Sequence, residues 1–144
     1  MTKEDKELLF KDLCARLPYG VMINVKGYDT EKLIGIENET ITTKATPTSY
    51  SDKGEYPIDI VKPYLRSMSS MTEEELFEVQ DIIGKGVEIR DIFISIVDSS
   101  INSFTYLELQ AVFEWLLKNH FDFMGLIPKN LAIEVTKENN PYKE

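Results

Sequence analysis

Between residues 20 and 61 apolar side chains recur at every second position in short runs, and each run is closed by turn-forming residues. In "GVMINVKG", Val21, Ile23 and Val25 alternate with Met22, Asn24 and Lys26, the period of a strand with one face buried. "GYDT" then turns the chain, and "EKLIGIENETITTK" reads as two further short strands around an Asn38-Glu39 turn. Residues 45–55, "ATPTSYSDKGE", are polar and rich in turn formers, so a loop is expected there. "YPIDIV" returns to strand, with Ile58 and Ile60 on one side, and Pro57 near its beginning suits an edge position because proline cannot donate to a ladder. Short strands joined by tight turns predict an antiparallel sheet or a small, partly open SH3-like barrel.

Helices flank this region. Thr2 is placed to cap the first, with Asp5 three residues on, and Leu9, Leu13 and Leu17 share a face with Phe10 and Cys14 beside them. Cys14 reads as a small buried apolar group. "LPYG" stops the helix. In "KPYLRSMSSMTEEELFEV", residues 62–79, Thr72 and Glu75 fit a capping box, and Met71 and Leu76 a hydrophobic staple. Glu73, Glu74 and Glu75 fall in the first turn, where the helix dipole favours negative charge. Leu76, Val79, Gln80 and Ile83 then share a face, and Gly84 ends the helix. "VEIRDIFISIV" predicts a strand over 87–97. The helix-start pattern recurs at Phe104, Thr105, Glu108 and Leu109, followed by a stripe of Val112, Phe113 and Leu116, with Trp115 at its margin. "LAIEVT", residues 131–136, predicts a last strand, and "KENNPYKE" a frayed polar tail.

The 144 residues suit one domain, expected over 1–138 with a polar tail at 139–144. At this length about 70% of the unfolded chain's surface is buried on folding, enough for a single core. Acidic residues outnumber basic ones 25 to 16, and a net charge of −9 repels nucleic-acid phosphates and anionic lipid. Neither nucleic acid nor membrane is therefore expected as a partner, and a protein is. Cys14 is the only cysteine, so no intrachain disulfide and no cysteine-based zinc site can form, which suits a reducing cytosol. The opening "MTKEDKELLF" has no apolar stretch of signal-peptide type, and no window resembles a membrane span. A cytoplasmic location follows as the expectation.

Few residues offer chemistry. His120 is the only histidine, and no Gly-x-Ser-x-Gly elbow is present. It falls on the apolar face at a helix end, where the dipole would favour its cationic form and Asp122 is placed to partner it. Read structurally, it is a helix-ending residue bonded to backbone or carboxylate. With no second histidine the pair is not a metal site, and no metal or other cofactor is expected. "GKG" at 84–86 lies after a helix and before a strand, the inverse of a phosphate loop, and reads as a helix stop. Asp91 and Asp98 are the two acids inside or beside an apolar strand. Lys62, Tyr64 and Arg66 alternate, so an extended segment presents them on one side as a candidate binding patch, a tyrosine between two cations. The structural alternative has Tyr64 and Leu65 anchoring the chain to the core while the charges stay solvated.

Three blocks, "KDLCARLPYGV" (11–21), "VKPYLRSMSSMTEEE" (61–75) and "FEWLLKNHFDFMGLIPKNLAIEV" (113–135), resemble a family of small uncharacterised proteins from gut Bacteroidales and their prophages or other mobile elements. They cover about a third of the chain. The family pattern has Pro where Ser67 stands and His where Asn119 stands, and the second difference removes a possible His-His pair. The family has no assigned activity, so no functional residue carries over. The resemblance implies an intracellular bacterial protein of phage or mobile-element origin.

The expected architecture is α+β: an N-terminal helix, an antiparallel sheet or partly open barrel, and two further helices. The expected function is noncatalytic binding or accessory. The rivals are a small hydrolase or transferase using carboxylates with Tyr64 or His120, and an acidic inhibitor of a DNA-binding protein.

Overall fold

The computed structural model describes residues 1–27, 30–44, 53–83 and 106–142. The chain divides into two compact units, Met1–Met68 with His120–Glu144, and Ser69–Asn119.

The first unit opens with helix α1, Lys3–Arg16, capped by Thr2, whose Oγ1 accepts from Asp5 N at 3.0 Å. A 3-10 turn, Leu17–Tyr19, follows, and Gly20 reverses the chain at a φ of 69°. That left-handed conformation suits glycine, and a Cβ there would stand 3.1 Å from Lys32 Cε. Strands β1 (Met22–Val25), β2 (Thr30–Glu37), β3 (Thr40–Lys44), β4 (Gly54–Pro57), β5 (Val61–Leu65) and β6 (Ile133–Glu134) make one sheet in the order β4-β3-β2-β1-β5-β6. Every pairing is antiparallel except β5 with β6. The fold is the expected α+β, and the sheet is open rather than closed into a barrel. Asn38 makes the β2–β3 turn at a φ of 55°, in the left-handed region that Asn tolerates. β4 lies at one edge of the sheet and β6 at the other, and Pro57 is the last residue of β4 rather than near the beginning of a strand.

One face of this sheet carries the core. Val21, Ile23, Val25, Leu33, Ile41, Val61 and Leu65 are buried together with Leu9 and Leu13 of α1. Each such aliphatic side chain contributes roughly 1.5–3 kcal/mol through removal from water. Four expectations change. Residues Ile58–Ile60 form a 3-10 turn between β4 and β5, not a strand, although Ile58 is buried and Ile60 half-buried against the core. The last strand shrinks from 131–136 to the two residues of β6. Cys14 is exposed, because the buried positions of α1 are Leu9, Asp12, Leu13 and Arg16, and Cys14 lies off that face. The polar tail is anchored at Tyr142, which packs against the core.

The second unit contains α2 (Glu73–Ile83) and α3 (Tyr106–Lys118). The capping box of α2 is formed: Glu75 N donates to Thr72 Oγ1 at 3.2 Å, and Thr72 N to Glu75 Oε1 at 3.0 Å. Val79 of α2 and Val112 and Leu116 of α3 are buried. Trp115, half-buried, donates its indole N–H to Glu78 Oε2 at 3.0 Å, tying the two helices together. No described helix is long and apolar enough to cross a membrane. Of the loop expected at 45–55, Gly54 and Glu55 belong to β4, while residues 45–52, Gly84 to Gly86, the strand expected at 87–97 with Asp91 and Asp98, and Thr105 of the second capping box lie outside the described residues.

Candidate functional site

The Lys62, Tyr64 and Arg66 row runs along β5 and just past it, where the backbone is extended by pairing with β1. Lys62 is half-buried, and its Nζ donates to Asn130 Oδ1 at 3.0 Å. Tyr64 is only 9% exposed. Its hydroxyl lies 3.2 Å from Thr30 Oγ1 and 3.4 Å from Asn24 Nδ2. Asn24 and Thr30 are directly opposed across β1 and β2, so both point to the face opposite the core and meet the phenol together. Arg66 lies beyond the strand, its N–H donating to His120 O and its carbonyl accepting from Asp122 N, each at 2.8 Å. Its guanidinium sits 4.2 Å over the Phe121 ring, a cation–π contact. All three predicted residues are thus engaged within the fold: Leu65 is buried in the core, the Tyr64 hydroxyl meets Asn24 and Thr30 on the opposite face, and both cations have partners. A cleft of about 390 Å³ opens beside Tyr64, lined by Met22, Thr30 and residues 138–141.

A buried polar cluster lies in the same unit, and the sequence reading did not foresee most of it. Asp12 and Arg16, one turn apart on α1, are both fully buried. Arg16 Nε donates to Asp12 Oδ2 and Nη2 to Phe121 O, each at 2.7 Å, while the guanidinium stands 5.6 Å from the Phe123 ring. Burial pushes the Asp12 carboxyl above its ordinary range, the Arg16 charge and hydrogen bond pull it back, and nearby Asp122 adds a smaller upward push. Asp12 Oδ1 and Arg16 Nη1 have no hydrogen-bond partner among the described residues. The signal was present: Asp12 and Arg16 fall three and seven residues after Leu9, on the leucine stripe, at a spacing that forms ion pairs.

His120 and Asp122 do not pair. Asp122 is buried and folds back on its own loop, Oδ1 accepting from Leu126 N at 2.8 Å and Oδ2 from Ile127 N at 2.9 Å. That is a local turn clamp. His120 stands at a φ of 63°, and its Nδ1 has no partner among the described residues. Far from being favoured as a cation, it is held down to about 4 by burial first and then by the Arg16 and Arg66 charges. Its ring is therefore a neutral imidazole at physiological pH.

The face of that ring is covered by Tyr142, with centroids 3.8 Å apart and planes inclined by 9°. The Tyr142 hydroxyl accepts from Met22 N at 3.0 Å and donates to Tyr64 O at 2.8 Å. The β1–β5 register pairs Ile23 with Pro63, so Met22 and Tyr64 would be the next opposed pair. The phenol thus takes the place of a backbone ladder bond. Burial drives its pKa upward, the Met22 bond partly opposing the shift. A single tyrosine in a polar run gave little sign of this. No protein-family model, curated protein or solved structure matches the chain. Chemically, the cleft offers hydroxyls and amides for hydrogen bonding, while the shifted groups Asp12, His120 and Tyr142 are committed to holding β1, β5 and the loop after residue 120.

Proposed function

We propose that the chain is a noncatalytic binding or accessory protein of the bacterial cytoplasm, of phage or mobile-element origin, that engages a protein partner through the cleft beside Tyr64. The observation that carries this reading is the placement of the cleft. It adjoins the hydroxyl that Thr30 and Asn24 hold in position, on the sheet face opposite the aliphatic core. A pre-positioned tyrosine hydroxyl beside a methionine is the chemistry of a recognition surface. Asp12 and Arg16 are spent on each other and on the Phe121 carbonyl, away from the cleft, whose own lining carries the carboxylate of Glu138. The origin rests on the three sequence blocks alone.

Affinity capture from cells of the source bacterium tests the reading. The wild-type chain is expected to retain a partner in a saturable manner. Thr30→Arg, which crowds the cleft from a half-buried position, is expected to lower retention about tenfold or more, the loss of roughly 1.4 kcal/mol of contact. Full retention by a folded Thr30→Arg variant discards the cleft.

A further inference from the structure

We infer that the slot formed by Met22 N, Tyr64 O and the His120 ring is a tyrosyl-binding site, filled in cis by Tyr142 and able to take a tyrosine side chain from another peptide when residues 138–142 leave. The slot reads both properties that distinguish tyrosine from other residues. One donor and one acceptor, both from backbone, converge on the hydroxyl at 3.0 and 2.8 Å. A flat neutral ring stacks on the phenol at 3.8 Å. Phenylalanine would satisfy only the stack and would leave Met22 N and Tyr64 O unpaired.

The cis occupant is held mainly by this one side chain. Residues 136–140 are exposed, and the side-chain bonds they make are local: Asn139 Oδ1 accepts from Thr136, Asn139 Nδ2 donates to Glu134 O, and Asn140 Oδ1 accepts from Tyr142 N. These bonds stay within residues 134–142, so the segment is a local turn that ends in an aromatic plug. Strands β1 and β5 do not close the gap with their own ladder bond, so the site exists as a built feature of the sheet. His120 supports it from a left-handed backbone position that most residues avoid. Because residues 138–141 also wall the cleft, withdrawal of the plug removes that wall and opens the Tyr64 side to solvent.

The full chain carrying Tyr142→Gly tests this, with N-acetyl-tyrosinamide as the probe and N-acetyl-phenylalaninamide as the control lacking the hydroxyl. The tyrosine probe is expected to raise the Tm of the variant saturably, to move the Met22 amide resonance, and to bind about tenfold tighter than the control. Wild-type protein, its slot filled, is expected to respond at least tenfold more weakly. Equal binding of the two probes to the variant, or no response of a folded variant to either, overturns the inference. Should Tyr142→Gly fail to fold, Tyr142→Phe supplies the measurement: hydrogen exchange at the Met22 amide is expected to quicken about tenfold, and unchanged exchange overturns it. Neither readout depends on the partner captured through the cleft, so the two readings fail separately.

Discussion

At the scale of single residues, the most consequential feature is an ion pair placed where leucine would ordinarily stand. Arg16 and Asp12 are fully buried on α1. Removing one member of such a pair costs more than the pair contributes, because the other is left charged and dry. Arg16→Met is expected to destabilise the first unit by about 3–5 kcal/mol, since it strands Asp12 and also frees the Phe121 carbonyl. Asp12→Leu combined with Arg16→Met is expected to recover most of that loss. Urea unfolding of the singles and the double measures it, and a double as unstable as the worse single would show that the charges themselves are needed. Tyr142→Phe isolates a smaller effect. It removes one oxygen serving two backbone groups and keeps the stack on His120, so a loss of about 1–3 kcal/mol is expected in thermal melts.

At the scale of elements, local signals and long-range ones behaved differently. Thr72→Ala should cost α2 about 1 kcal/mol and raise exchange of the amides at residues 73–76, because the Thr72–Glu75 reciprocal cap is formed as its spacing required. Caps are settled within four residues, so the starts of α1 and α2 were readable from sequence. The alternation of Val21, Ile23 and Val25 was readable for the same reason: a strand with one buried face writes its period into neighbouring positions. Ile58 and Ile60 misled because a 3-10 turn can also bury apolar residues two apart. β6 was overdrawn because its alternating residues extend past the two that pair with β5. The site fared worst. Lys62, Tyr64 and Arg66 were found as a row, but whether a tyrosine faces solvent or an asparagine and a threonine from other strands is decided by register. For His120 the neighbour legible in sequence is Asp122, two residues on, whereas the ring stacks on Tyr142, 22 positions on, a contact that only the fold brings about.

At the scale of the whole molecule, the His120–Tyr142 stack is expected to set how stability depends on pH at both ends. His120 is held down to about 4 in the folded chain against an ordinary value of 6.5. Between those values the unfolded chain binds a proton that the folded chain resists, so stability falls as the pH drops from 6.5 and the loss is complete below about 4. Solvent reaches part of the ring, which limits the contribution to on the order of 2 kcal/mol. His120→Asn keeps a residue type that tolerates the positive φ and removes the proton. The difference in unfolding free energy between pH 7 and pH 4.5 is expected to shrink in this variant, and an unchanged difference would assign the acid sensitivity to carboxylates instead. Tyr142 acts at the opposite limit. Its pKa is raised above the ordinary 10, so the folded chain retains a proton that the unfolded chain gives up, and stability present below pH 10 is lost as the pH rises beyond it. Tyr142→Phe should therefore flatten the alkaline limb and leave the acid limb in place, whereas His120→Asn should do the reverse. Paired pH titrations of urea unfolding separate the two, and a single variant that flattened both limbs would mean that the substitution undoes the burial of both rings.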